Sequence, residues 1–156
     1  MRETGLGVTG ELSILSLGLG VIMEESQIGQ VIMISAILVY LLRELDPETA
    51  ILFNLGVIGL VILAVAEELI IIYIGIEIVG LAFYVLAARE RKAMKSTEAG
   101  LKYFILGALS SGILLMGVTI VYAQTGTTDL ELIGSASQVL IIVGLLFKVG
   151  AAPFHM

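Results

Sequence analysis

Long apolar stretches, separated by short polar ones, follow one another along most of this chain. They predict α-helices over five ranges, 28–43, 49–66, 69–88, 100–123 and 138–152. Several of these ranges approach or reach the roughly 20 residues that a helix needs to cross the hydrocarbon core of a bilayer. The pattern therefore predicts an all-α, polytopic bundle of transmembrane helices, with five spans, or six if the run at 12–23 also crosses.

The two ends of the chain are less regular than its middle. The run LSILSLGLGVIM at 12–23 is short for a span, so it predicts either an atypical span or a hairpin or interfacial piece. We therefore separate an atypical segment, 1–27, from the transmembrane helices of 28–156, within one membrane domain. Acidic residues precede the run, which is not typical of a secretory signal, and an import peptide removed earlier stays an open alternative. Near the other end, Pro153 predicts an interruption of the last helix, because proline lacks the N–H and clashes with the preceding turn.

The composition agrees with a membrane protein. Hydrophobic residues make up 58% of the 156 residues and charged residues 14%, with a mean hydropathy of +1.09. Soluble domains carry about 25% charged residues. If the helices alternate in direction, the basic residues between them all fall on one side of the membrane: Arg43, Arg89, Arg91, Lys92 and Lys95. The positive-inside rule assigns that side to the cytoplasm or, in a mitochondrion, to the matrix.

The composition also excludes several kinds of site. The chain has no cysteine, which excludes cysteine-ligated iron–sulfur clusters, cysteine zinc sites and disulfides within it. With one histidine and no tryptophan, a haem or metal site made by this chain alone is not expected. We therefore expect no bound cofactor and no metal. The net charge of −6 argues against nucleic acid as a partner.

One carboxylate lies in the middle of an apolar run. Glu77 stands in IIIYIGIEIVGLAFYVL, residues 70–86, although an ionised side chain at the centre of a membrane helix costs roughly 2.5–3.5 kcal/mol. On a helix, Tyr73, Glu77, Gly80 and Tyr84 share one stripe, whereas the opposite face is Ile, Leu and Val. We expect this stripe to face the interior of the bundle.

Two lysines accompany Glu77 inside predicted helices. Lys148 shares a face with Gly144 and Ala151, one turn before the break expected at Pro153. Lys102 lies near the start of its helix, which Ser96 could cap. A carboxylate and two amines on inward faces would make a proton relay, because low dielectric and neighbouring charges act on their proton affinities in opposite directions.

Each of these residues has a purely structural alternative. Glu77 could be a protonated, hydrogen-bonded carboxyl group, and Lys148 could pair with it only to fix the packing. Lys102 could extend its side chain toward the basic side of the membrane. The spacing of the residues does not separate a relay from a static ion pair.

Two long motifs resemble a known family. They are YIGIEIVGLAFYVLAARERKAMKSTEAGLKYFILGALSSGILLMGVTIVYAQTG at 73–126 and GLLFKVGAAPFHM at 144–156. Both resemble the antiporter-like membrane subunit of respiratory complex I, known as chain 2 in mitochondria and subunit N in bacteria. The resemblance covers about residues 46–156. It implies a proton-translocating subunit of NADH:ubiquinone oxidoreductase, with Glu77, Lys102 and Lys148 on the proton path.

The resemblance also implies partners, cofactors and a location. NADH, FMN, the iron–sulfur clusters and ubiquinone would be used by other subunits, so this chain would hold no redox centre. Its partners would be membrane lipids, other membrane-arm subunits and a second polypeptide carrying the C-terminal half of the same subunit. The expected location is the mitochondrial inner membrane, ahead of a bacterial plasma membrane. A subunit of a related sodium/proton antiporter and a non-conducting helix bundle remain the alternatives.

Overall fold

Five α-helices make up nearly all of the described part of the chain. The computed structural model describes residues 26–42, 45–90, 93–130 and 135–150, apart from the side chains of 135 and 136. The helices are α1 (Gln27–Leu42), α2 (Pro47–Ala64), α3 (Leu69–Ala87), α4 (Met94–Thr125) and α5 (Ser135–Val149). Since these ranges contain no strand, only an isolated bridge between Glu68 and Asp129, the all-α prediction is confirmed. The apolar run at 12–23 and Pro153 lie outside the described residues.

Three of the helices are long and apolar enough to cross a membrane, namely α2, α3 and α4. The apolar helices α1 and α5 are shorter. At 1.5 Å per residue, the 32 residues of α4 extend about 48 Å, which exceeds the roughly 30 Å of a hydrocarbon core. The chain is thus a multi-pass membrane protein built as a helix bundle.

The helices run up and down, each packed on the next in the sequence. At one end, the Arg89 guanidinium forms an ion pair with Asp46, which joins the loop after α1 to the loop after α3. At the other end, the amide of Leu69 donates to the carbonyl of Thr128 over 2.9 Å, which joins the loop before α3 to the loop after α4. These contacts give the alternating directions that the distribution of basic residues predicts.

Helix α2 begins with a local side-chain cap, whereas helix α4 does not. Pro47 occupies the first turn of α2, and the Asp46 side chain accepts a hydrogen bond from the amide of Thr49 as an N-cap. Helix α4 begins at Met94 rather than near 100, and Ala93 is its N-cap residue. The predicted cap, Ser96, instead lies inside the helix, where its hydroxyl donates to the carbonyl of Ala87 over 2.8 Å. A tertiary contact to the end of α3 has thus replaced the local cap.

The end of α5 also differs from the prediction. The helix stops at Val149 instead of continuing to 152. Gly150 has a φ of 68°, a left-handed conformation in which glycine commonly ends helices. Its amide bonds to the carbonyl of Phe147. Lys148 therefore lies in the last turn of α5.

Glycines allow α4 and α5 to approach closely beside the candidate site. A Cβ added at Gly144 would lie 2.9 Å from the backbone nitrogen of Leu114, and one added at Gly117 would lie 3.0 Å from that of Ile141. The surrounding core contains Leu114 and Ile141 together with Leu69, Val118 and Val121. This close packing brings the end of α5 against the middle of α3 and α4.

Candidate functional site

The ammonium group of Lys148 links two groups of α3. Its Nζ donates to the Oε1 of Glu77 over 3.0 Å and to the hydroxyl of Tyr84 over 3.2 Å. The side chains of Lys148 and Glu77 are 15% and 25% exposed, so the ion pair is largely enclosed. The structure thus brings together two of the three residues that the sequence singled out, and it places them inside the bundle.

A serine of α4 completes the surroundings of the carboxylate. The hydroxyl of Ser111 donates to the same Oε1 of Glu77 that accepts from Lys148. The sequence analysis did not single out Ser111. In the structure, Gly100, Gly107, Ser111, Leu114 and Val118 form one buried stripe of α4 at helical spacing, but in the sequence this stripe is not distinguished from the other faces of the helix.

Tyr84 is held in a slot between two glycines. A Cβ added at Gly107 of α4 would lie 1.9 Å from the Tyr84 hydroxyl, and one added at Gly80 of α3 would lie 3.0 Å from it. The rings of Tyr103 and Phe104 meet the Tyr84 ring edge-on, with centroids 4.6 and 5.8 Å away. The phenol ring is therefore fixed by packing, with its hydroxyl directed at Lys148.

A cavity of about 530 Å³ adjoins the ion pair. The polar side chains in its wall are those of Tyr84, Tyr103, Ser110 and Lys148, and Leu60 and Leu63 of α2 lie among its apolar lining. A space of this size can hold several water molecules, each of which needs about 30 Å³. The ammonium group therefore has a fixed carboxylate partner and lies beside a space that can hold water molecules.

Lys102 does not join this cluster. Its side chain is 64% exposed and forms an ion pair with Glu98, one turn earlier on α4. Within the described residues Lys102 therefore lies apart from Glu77 and Lys148, and its place on the proton path stays a prediction. Lys102 lies on a different face of α4, because it is about 140° around the helix from Gly107, which faces α3.

The arrangement can hold a proton in either of two places. With the proton on Lys148, the pair carries opposite charges, and transfer to Glu77 leaves an amine and a carboxyl group that are both neutral. The pair thus supplies one donor and one acceptor for a transferable proton. Among the residues that the structure describes, no cluster of His, Cys, Asp or Glu could hold a metal ion.

Comparison with known proteins gives the site a family context. The family described as "NADH:quinone oxidoreductase/Mrp antiporter, TM" matches residues 66–156, a range that contains Glu77, Lys102 and Lys148. The chain is 47% identical over 126 residues to NADH-quinone oxidoreductase subunit N of Erythrobacter litoralis, covering 74% of this chain and 26% of that protein. With subunit N of Rhodospirillum rubrum it shares 39% identity over 180 aligned positions, covering 100% of this chain and 37% of that protein.

A solved structure agrees with these relatives. The fold matches a chain of respiratory complex I from Thermus thermophilus with bound Aureothin, with a TM-score of 0.75 and 28% identity. The match covers 96% of this chain and 39% of that one. The chain thus spans between about a quarter and two fifths of the length of the proteins it matches. It belongs to the NADH:quinone oxidoreductase/Mrp antiporter transmembrane family.

Proposed function

We propose that this chain is a proton-translocating membrane subunit of an NADH:quinone oxidoreductase, respiratory complex I. The observation that carries the proposal is the enclosed pair of Glu77 and Lys148, 3.0 Å apart within the range that matches the family. An ionisable residue inside a membrane is costly, and it is by default a candidate for ion transport. The relatives named subunit N support complex I as the setting.

The contacts of Lys148 suggest how a proton would move. While the ammonium is held by Glu77, the pair is stabilised by its own attraction. A small displacement of α5 toward the cavity would weaken that attraction, and the Tyr84 hydroxyl would still accept from the ammonium. The proton would then pass either to Glu77 or to water in the cavity. Lys102, on the outer face of α4, would receive protons only through groups outside this cluster.

The electron-transfer chemistry would belong to other subunits. NADH, FMN, iron–sulfur clusters and ubiquinone would be used there, and this chain would bind, orient and release protons. Its partners would be other membrane-arm subunits, together with the remainder of subunit N, supplied by further residues of the same polypeptide or by a second one. The apolar outer faces of the helices would contact lipid.

The location is also part of this proposal. We infer the mitochondrial inner membrane from the motifs at 73–126 and 144–156, with the bacterial plasma membrane as the second candidate. The relatives named above are bacterial, so they support an energy-transducing membrane rather than one compartment. Fractionation of the source cells, with the chain followed by mass spectrometry, separates the two.

A second candidate function is ion exchange without electron transfer. The description of the matched family includes the Mrp antiporter, and a sodium/proton antiporter subunit could use the same carboxylate and amine. A third reading, a bundle in which Glu77 and Lys148 only fix the packing, also agrees with the ion pair. These alternatives differ in which proteins bind to the chain and in whether removal of the two charges stops proton transport.

Native-gel separation of detergent-solubilised source membranes, with mass spectrometry of each band, tests the setting. We expect this chain in a very large band that has NADH dehydrogenase activity and contains the rest of subunit N. A small band of antiporter proteins without that activity would overturn the complex I assignment. In that case Glu77 would be a residue of an ion exchanger.

Substitution tests the role of the pair. In the assembled complex, Glu77→Gln and Lys148→Met should each lower proton pumping driven by NADH oxidation. Glu48→Gln is the matched control, because it makes the same change at an exposed glutamate in the first turn of α2. Normal pumping in both variants of the pair would leave the structural bundle as the correct reading.

A further inference from the structure

Two adjacent serines of α4 make the same hydrogen bond within their own helix but differ in their contacts with α3. Ser110 and Ser111 are both buried, and the hydroxyl of each donates to the carbonyl of Gly107 over 2.9 Å. Ser111 alone of these two serines also donates to the Oε1 of Glu77. The hydrogen bond to Glu77 therefore distinguishes Ser111 from Ser110.

The Ser111 hydroxyl has two acceptors within reach and one hydrogen to give. While Glu77 is ionised, the hydroxyl can donate to its carboxylate, a bond to a charged group that is stronger than a neutral one. Once Glu77 has taken a proton, its carboxyl group becomes a donor. The Ser111 hydroxyl can then turn its hydrogen to the Gly107 carbonyl and accept from Glu77. Both protonation states are satisfied by a rotation about a single bond.

We propose that Ser111 is a positioning residue that holds the carboxyl group of Glu77 in place in both of its protonation states. This inference rests on the proposed function, because it assumes that Glu77 gains and loses a proton during turnover. Once Lys148 has regained a proton beside a protonated Glu77, the carboxyl group has no other acceptor, and without the hydroxyl it would have to rotate or leave a buried donor unsatisfied. Proton exchange within the pair would then become slower.

Other groups around Glu77 do not supply this function. Lys148 of α5 donates to the carboxylate as an ammonium group, and it can accept from Glu77 only as the neutral amine, before it regains a proton. Tyr84 of α3 contacts the lysine, and Tyr73, one turn before Glu77, interacts with the pair electrostatically. Within the described residues, the hydrogen bonds to Glu77 come from Lys148 and Ser111. Ser111 is the member of this pair with both donor and acceptor capacity.

The experiment compares Ser111→Ala with Ser110→Ala in the complete, assembled complex. Both changes delete one buried hydroxyl and one bond to Gly107, so packing losses are matched. We expect Ser111→Ala to lower NADH-driven proton pumping by roughly twofold to tenfold, which is the scale of the net contribution of one typical hydrogen bond. Ser110→Ala should lower pumping less than Ser111→Ala, because Ser110 lines the cavity but its hydroxyl does not donate to Glu77. Assembly of each variant is measured on native gels.

Two further variants separate positioning from packing. Ser111→Thr keeps the hydroxyl, and a helical threonine can make the same bond to the carbonyl four residues earlier, so it should restore pumping. Adding Ser111→Ala to Glu77→Gln should cause no further loss, because the serine acts through the carboxyl group. If Ser111→Ala prevents assembly, Ser111→Cys replaces it, since the thiol is a weak donor of similar size.

The outcomes are distinguishable. Equal effects of the two alanine variants, normal pumping in Ser111→Ala, or failure of Ser111→Thr to restore pumping would each overturn the assignment of Ser111. Failure of the proposed function gives a different result, namely normal pumping in Glu77→Gln itself. If Glu77→Gln lowers pumping and Ser111→Ala does not, the proposed function stands and this inference alone fails.

Discussion

Replacing both Glu77 and Lys148 should destabilise the bundle less than replacing either residue alone. At a separation of 3.0 Å and an effective dielectric constant of 20, the attraction between the charges is about 5.5 kcal/mol. Desolvation costs several kcal/mol for each ion. The two contributions nearly cancel, so the intact pair should add little net stability to the bundle.

Removing one partner leaves the other charge enclosed. In Lys148→Met, the carboxylate keeps only the hydroxyl of Ser111, and loss of one partner of a buried pair typically costs 3–5 kcal/mol, as a rough estimate. In Glu77→Gln, the ammonium keeps the Tyr84 hydroxyl and the neutral amide oxygen. The double variant Glu77→Gln/Lys148→Met contains no unpaired charge, and its stability should lie within about 1 kcal/mol of the unchanged bundle.

Thermal dissociation of the detergent-purified complex provides the assay, with retention of this chain measured on native gels across a temperature series. The single variants should lower the midpoint by roughly 6–20 °C on the scale of a domain of this size, and the double variant by less than either. A double variant whose loss equals the sum of the two single losses would refute the reasoning, since the charges would then be independent.

Three further predictions follow from the contacts of single residues. Gly107→Ala should impair assembly, since its Cβ would lie 1.9 Å from the Tyr84 hydroxyl, whereas Tyr84→Phe should assemble normally and lower pumping; native gels and pumping assays separate the two. The hydrogen bond from the Thr49 hydroxyl, more than the nearby guanidinium charge, holds the pKa of Asp46 below its ordinary value. The stabilisation from the ionised Asp46 is therefore present when the pH is above the ordinary pKa, and it is lost as the pH falls toward the lowered pKa. The midpoint of thermal dissociation should thus fall less steeply on acidification in Asp46→Asn than in the unchanged protein. Lys102→Met should leave assembly unchanged, because within the described residues this exposed side chain pairs with Glu98 at the surface of α4, and a decrease in pumping would assign it to the proton path.

The sequence predicts the helices well because the membrane restricts the choices. Spanning segments must be apolar and hydrogen-bonded within themselves, so α3 was expected at 69–88 and is found at 69–87. The inward stripe of α3 also follows from periodicity, since Gly80 and Tyr84 are buried and Glu77 is largely enclosed. The cap at Asp46 followed from local chemistry alone.

Features that depend on contacts between helices were not predictable in the same way. The polar stretch KSTE at 95–98 carries no apolar periodicity, and α4 includes it because Ser96 bonds to the end of α3. The direction of Lys102 depends on which face of α4 packs on its neighbours, and a helix with apolar residues all round does not reveal that face. Ser111 was hidden for the same reason, because small residues in a membrane helix fit both packing and hydrogen bonding.

The position of Lys148 at the end of α5 joins the fold to the proposed chemistry. The last turn of a helix favours a positive charge, because its carbonyl groups lack partners within the helix. The preceding turn packs closely against α4 at Gly144, and the helix ends before Gly150, which has a left-handed conformation. A displacement confined to the last turn would therefore change the distance from Lys148 to Glu77 without disturbing the core around Val121.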